Sequence, residues 1–177
     1  MKLSEDMKEW IRDISISVVC ALVILTFFKP TIVKQHSMEN TLQENDYLFV
    51  SRQAYRLFGD PQRGDIIVFS SELTTEKGQN KNLIKRIIGL PGDTIAIKNG
   101  KTILNGEEID EPYTRDGITM GDMKEVTVPE GKLFVMGDNR QNSADSRSPS
   151  VGMVDMKTIM GKAVFRLFPF SKMGGIH

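Results

Sequence analysis

The chain has 177 residues, room for one core-forming domain with something attached. Lysine plus arginine and aspartate plus glutamate each number 23, so no net field points to nucleic acid, and the charges read as an ordinary solvated surface. Cys20 is the only cysteine, which excludes an internal disulfide and any multi-cysteine metal site; in its apolar run it reads as a buried small hydrophobe.

In chain order, the polar stretch MKLSEDMKEWIRD, residues 1–13, reads as a short helix ending near a membrane surface. The charge-free run ISISVVCALVILTFF follows at 14–28. At about 1.5 Å per residue it spans only ~22 Å of a ~30 Å hydrocarbon layer, so Arg12 and Lys29 have to snorkel outward, with Trp10 and Ile11 extending the span. A cleaved secretory signal is the rival reading, but FFKPTIVKQ offers no small-x-small cleavage pattern, which favours an uncleaved anchor over residues 14–29. Lys2, Lys8 and Arg12 precede the run and Lys29 and Lys34 follow it, a small basic excess that places the N-terminus in the cytoplasm and residues 30–177 outside.

Beyond Pro30 strand signals take over. DYLFVSR (46–52), GDIIVFSS (64–71), NLIKRIIG (82–89) and DTIAIK (93–98) are β-branched and aromatic runs punctuated by Gly, Pro and Asp. Asn99-Gly100 and Asn105-Gly106 stand where type I′ hairpin turns fall, with KTIL between them. EVTVPEG, KLFVMGD and GKAVFRLF continue the pattern to residue 168, so a mostly β domain of short antiparallel strands is expected. QAYRLFG (53–59) and VDMKTIM (154–160) read as helical turns, and TTEKGQNKN (74–82) as a mobile surface loop.

Three polar stretches carry the chemistry. Ser37, in QHSMENTL just beyond the apolar run, is a weak nucleophile until a base takes its proton. Of the two histidines, His36 adjoins Ser37 and in an extended chain points to the opposite face, while His177 is the last residue. A Ser-His-Asp triad is therefore improbable, and a lysine neutralised by burial becomes the candidate base. In NLIKRIIGLPGD, Lys85 shares a strand face with Leu83 and Ile87, two aliphatic neighbours able to desolvate an ammonium. Taken alone, the stretch is better read as placing a solvent-facing lysine on an edge strand. Arg86 points to the opposite face and requires an acidic partner. The third stretch, GDNRQNSADSR at 137–147, is a tight polar loop in which Asp145 can pair with Arg86 or Arg147 and Ser143 can donate a hydrogen bond that orients a neutral lysine.

Together SMENTL (37–42), RGDIIVF (63–69), KRIIGLPGD (85–93) and GDNRQNSADSR (137–147), in this order and spacing, resemble the type I signal peptidases, membrane-anchored Ser/Lys endopeptidases that remove signal peptides from exported proteins. The resemblance covers the chain from the anchor to about Phe170. It implies the mostly β, coiled-sheet peptidase fold shared with LexA-type repressors, behind one transmembrane helix, in the compact form typical of Gram-positive bacteria. It implies Ser37 as nucleophile, Lys85 as general base, Ser143 as the group orienting Lys85, and Asp145 paired with Arg86 and Arg147. The Ser37 N–H, with Gln35, would hold the oxyanion. Val33, Met38, Leu42 and Ile84 would line shallow apolar pockets for the small side chains preceding the cut in Ala-x-Ala sites. Signal-peptide-bearing pre-proteins and membrane lipid are the implied partners, and no metal, cofactor or nucleic acid is required.

Three positions depart from the family pattern. Asn40 stands where proline is usual, Gln35 where Ser or Gly is usual, and Gln141 replaces the aspartate of GDNRDNS. A self-cleaving repressor would need a DNA-binding segment that thirteen residues before the apolar run cannot supply. A lipoprotein-type signal peptidase would need several spans bearing paired aspartates.

Overall fold

The computed structural model describes residues 4–57 and 59–176; Phe58, at the end of one expected helical turn, and His177 lie outside the described residues. Helix α1 runs unbroken over Glu5–Phe27. Ser4 caps it by accepting from the Met7 N–H, and Glu5 and Asp6 place negative charge in its first turn, where the helix dipole favours it. Ser15, Ser17 and Thr26 return their hydroxyl protons to carbonyls one turn back, so the apolar stretch carries no unpaired hydroxyl.

The polar head and the apolar run are thus one helix of 23 residues, not a short helix followed by a separate span. At 1.5 Å per residue it reaches ~34 Å, but its first nine residues carry the charges Glu5, Asp6, Lys8, Glu9, Arg12 and Asp13, so the uncharged part from Ile14 onward still spans only ~21 Å and Arg12 has to snorkel outward. It is long and apolar enough to cross a membrane, with no residue buried against the rest of the protein. Two expectations are corrected here. Cys20 is exposed on α1, a helix that has no buried residue among the described residues. Lys29 is no longer helical, since strand β1, Phe28–Ile32, begins directly after Phe27.

The remaining elements are β2 Tyr47–Ser51, α2 Ala54–Leu57, β3 Ile66–Thr74, β4 Asn80–Gly89, β5 Thr94–Lys98, β6 Lys101–Leu104, β7 Glu107–Glu108, β8 Met123–Thr127, β9 Lys132–Met136, β10 Val154–Asp155, β11 Ile159–Phe168 and β12 Gly174–Gly175. A 3₁₀ turn, Met156–Thr158, joins β10 to β11, as VDMKTIM suggests. All pairings are antiparallel. One sheet has the order β1-β2-β11-β3-β4-β9-β10 with β12 on β11, and the other has the order β7-β6-β5-β8. The mostly β expectation therefore holds, with one N-terminal apolar helix.

Asn99 and Gly100 both have positive φ (51° and 77°), which suits the type I′ turn between β5 and β6. The stretch 74–82 differs from its expected form. Thr74 pairs with Asn80, so β3 and β4 extend into it and only a tight turn remains between them. Polar composition concealed a hairpin whose strands are held by backbone pairing and not by apolar side chains.

Three apolar clusters form the core. Ile67, Phe69, Leu83, Ile87, Leu133, Val135 and Val154 pack on one face of the larger sheet. Ile88, Phe134 and Met136 of that sheet meet Ile95, Ile97 and Leu104 of the smaller one, which seals the sheets together. Val33, Met38, Leu42, Leu48, Ile66, Ala163 and Ile176 form the third cluster, beneath the Ser37 turn. Burial of each such side chain contributes on the order of 1.5–3 kcal/mol, so the turn rests on a floor that resists displacement.

Candidate active site

β4 lies between β3 and β9, with Lys85 opposite Ile67 and Arg86 opposite both Ile66 and Met136. β4 is therefore an interior strand, which excludes the edge-strand alternative. Lys85 is 1% exposed, and its Nζ lies 2.6 Å from Ser37 Oγ and 3.0 Å from the Ile84 carbonyl oxygen. Burial lowers the amine from its ordinary 10.5 to about 8. Asp145 and Asp138 pull the other way, while Lys81 and Arg147 add repulsion that favours the neutral amine.

Ser37 occupies a turn closed by the Leu42 N–H on the Met38 carbonyl at 2.7 Å. The loop of residues 137–147 holds that turn from behind. The Asn139 N–H donates to the Ser37 carbonyl at 3.0 Å, and the Asn139 amide donates to the His36 carbonyl at 3.1 Å. The close approach requires Gly137, because a Cβ there would stand 2.3 Å from the Ser37 carbonyl oxygen and 2.4 Å from Ser143 Oγ. The Ser37 N–H donates to no acceptor among the described residues, which leaves it free for an oxyanion. His36 is exposed, its Nδ1 2.6 Å from Glu39 Oε1, although it enters a turn and not the extended chain expected.

The supporting roles differ from those expected. Arg86 makes its bidentate pair with Asp138, at 2.9 and 2.8 Å, and not the expected pair with Asp145. The same guanidinium donates to the Gly64 carbonyl and lies 4.1 Å from the centre of the Tyr113 ring. Asp145 is filled by Arg147 at 2.8 Å on each oxygen, by the Gly137 N–H at 3.0 Å and by the Ser143 hydroxyl at 2.6 Å. Burial works against the Asp145 carboxylate, but the Arg147 hydrogen bonds and charge win and hold it below its ordinary value. Ser143 thus gives its proton to Asp145 and not to Lys85, because a carboxylate is the stronger acceptor at that reach.

A cleft of about 410 Å³ opens over Ser37, lined among others by Val33, Gln35, Met38, Ile84 and Met160. Leu42 is the correction to the expected pocket set: fully buried within the floor cluster, it lies under the turn and away from the cleft. Asn40 sits at an exposed corner with its amide 3.5 Å from the Tyr113 carbonyl, and Gln141 is exposed.

Sequence reasoning missed a buried network behind the site. Arg140 forms a bidentate pair with Glu111, both bonds 2.7 Å, and donates to the Gly137 carbonyl at 3.0 Å. Burial opposes the Glu111 carboxylate, yet Arg140 holds it below its ordinary value. The signal was present in the letters: Arg140 and Asp138 stand in the motif loop and each requires a partner, but no spacing identifies Glu111 or Arg86 as that partner.

A nucleophilic hydroxyl against a buried amine, with a free N–H beside it and an open cleft above, suits acyl transfer, and serine endopeptidase is the class into which comparison with known proteins places the chain. The family model for signal peptidase, peptidase S26, matches residues 7–168, and the chain belongs to that family. Over 174 residues it is 42% identical to Signal peptidase I of Bacillus licheniformis, covering 93% of this chain and 90% of that protein. Over 176 residues it is 40% identical to Signal peptidase I S of Bacillus subtilis (strain 168), with 93% and 91% covered. A crystal structure of a signal peptidase I from Enterococcus faecalis V583 aligns with a TM-score of 0.47 and 33% identity, covering 58% of this chain and 96% of that one.

Proposed function

We propose that the chain is a membrane-anchored signal peptidase I that removes N-terminal signal peptides from exported pre-proteins by a Ser37/Lys85 dyad. The observation that carries the reading is the 2.6 Å contact between two buried groups, the Nζ of Lys85 on the interior strand β4 and the Oγ of Ser37 in its turn. Neutral Lys85 takes the Ser37 proton as Oγ attacks the scissile carbonyl, and the Ser37 N–H, with the Gln35 amide at the cleft wall, stabilises the oxyanion. Protonated Lys85 then gives its proton to the leaving amine, which departs as the new N-terminus and leaves an ester on Ser37. Lys85 next takes a proton from water, whose oxygen attacks the ester; the acid product leaves and the proton returns to Ser37. Each step needs only the amine, so the mechanism calls for no metal or cofactor.

Arg147, Ser143 and the Gly137 N–H hold Asp145, and through it the loop that backs Ser37. Arg86 with Asp138 holds β4 to the same loop. These are positioning residues. Val33, Met38 and Ile84 give the cleft apolar walls suited to the small residues of an Ala-x-Ala site. The apolar part of α1 anchors the enzyme in membrane lipid, with the N-terminal residues cytoplasmic and residues 30–177 extracytoplasmic, as the basic excess ahead of the span favours.

The test is cleavage of a pre-protein bearing an Ala-x-Ala site by the detergent-solubilised full chain. Ser37→Ala and Lys85→Ala should each lower kcat/KM by several orders of magnitude with the circular dichroism unchanged, because removing one member of a unit disables it. Substantial cleavage by either variant would sink the assignment.

A further inference from the structure

The charged groups lining the cleft are all of one sign. Lys29, Lys34 and Lys81 line it together with Ser37, and among the described residues no aspartate or glutamate does, although the chain as a whole carries as many acids as bases. None of the three makes an ion pair among the described residues. A cleft with low-dielectric walls of Val33, Val50, Val68 and Met160 focuses such a field. The cations also lie in a definite direction. Lys29 follows the end of α1 by two residues, and Lys34 stands three residues before Ser37, so they flank the path between the membrane anchor and the nucleophile.

Resting on the proposed signal-peptide cleavage, we infer that Lys29, Lys34 and Lys81 form a cationic subsite that selects substrates by charge, favouring a carboxylate and rejecting lysine or arginine in the segment just before the cut. The apolar part of a signal peptide stays in the bilayer, so the residues joining it to the scissile bond run along this wall. An extended segment advances ~3.3 Å per residue, and one that follows the 29–34 stretch passes the lysines roughly three to eight residues before the cut. Positions four to seven before the cut, clear of the small-residue sites, are where the charge is read. Partly screened pairs of this kind change affinity by up to about fivefold each, so reversal from Asp to Lys should span about tenfold or more. Lys81 also repels the Lys85 ammonium, so its removal is assayed on the high-pH plateau, where Lys85 is neutral with or without it.

The experiment uses the full chain in neutral detergent with three pre-protein substrates that differ only in Asp, Asn or Lys at the fifth residue before the cut, at low salt and in 0.5 M sodium chloride. The expected order of kcat/KM is Asp, then Asn, then Lys, over about tenfold at low salt, compressed by salt, and lost in the Lys34→Gln/Lys81→Gln double variant, which still cleaves the Asn substrate. Equal rates for the three substrates, or an order that survives in the double variant, would overturn the subsite while leaving the peptidase reading intact. Cleavage of none of them by the wild type would overturn both. Repeating the series in phosphatidylcholine vesicles with and without phosphatidylglycerol separates the other source of negative charge. A preference that emerges only with the anionic lipid would assign the lysines to headgroups and overturn the subsite.

Discussion

Lys85 is the group on which the chemistry turns, and its titration can be followed directly. With its amine at about 8 instead of 10.5, about a tenth is neutral at pH 7, against about one part in 3,000 for an unburied lysine. The difference corresponds to roughly 3 kcal/mol against the buried ammonium. The sign follows from a depressed lysine: activity is low where the amine is protonated, so kcat/KM should rise about tenfold per pH unit up to about 8 and level off above it, unaffected by metal chelators. Stability moves the same way. Below pH 8 both folded and unfolded chains carry the proton and the folded state bears the full cost; between about 8 and 10.5 the unfolded chain alone holds it, and stability rises. Against Lys85→Met, the wild type should be less stable by roughly 3 kcal/mol at pH 7, and the gap should close across that window. Two neighbours displace the limb in opposite directions. Asp145→Asn removes an attraction to the ammonium and should move it to lower pH, whereas Lys81→Gln removes a repulsion and should move it higher. A limb near 10 would refute the desolvation argument, and a limb that disappears in His36→Ala would make His36 the base.

Other substitutions probe the frame around the dyad. Asp138→Ala leaves the Arg86 guanidinium buried without its bidentate partner, which should cost roughly 3–5 kcal/mol, or about 6–20 °C in Tm by calorimetry; an unchanged Tm would mean that the pair is not formed. Gly137→Ala forces a methyl group onto the Ser37 carbonyl and the Ser143 side chain, so kcat/KM should fall by about a hundredfold, the scale expected when a small misplacement is imposed on a catalytic group, and wild-type activity would refute the close packing.

Much of this protein was written locally. The runs LFV, IIVF and TIAI mark strands because β-branched and aromatic side chains suit a pleated, packed surface, and Asn-Gly pairs mark tight turns because both residues accept positive φ. The Ser37/Lys85 pairing was legible for another reason. Four motifs in order identify a family, and with histidine poorly placed a serine needs an amine base. What the letters withheld are partnerships across the fold. Arg86 had two acids in its motif loop to choose from, and Asp138 takes it because β4 runs beside β9 with the loop at its end, while the Arg147 side chain reaches Asp145 first. The hydroxyl of Ser143 goes to that same carboxylate. Leu42 carries the hydrophobicity of a pocket wall yet lies under the Ser37 turn, and Cys20 that of a core residue yet stands exposed, because burial is set by what packs against a side chain. Glu111 meets Arg140 from 29 residues away. Periodicity and turn chemistry act over a few residues and are readable in the chain, whereas which charge neutralises which depends on distances that exist only once the two sheets have closed on each other.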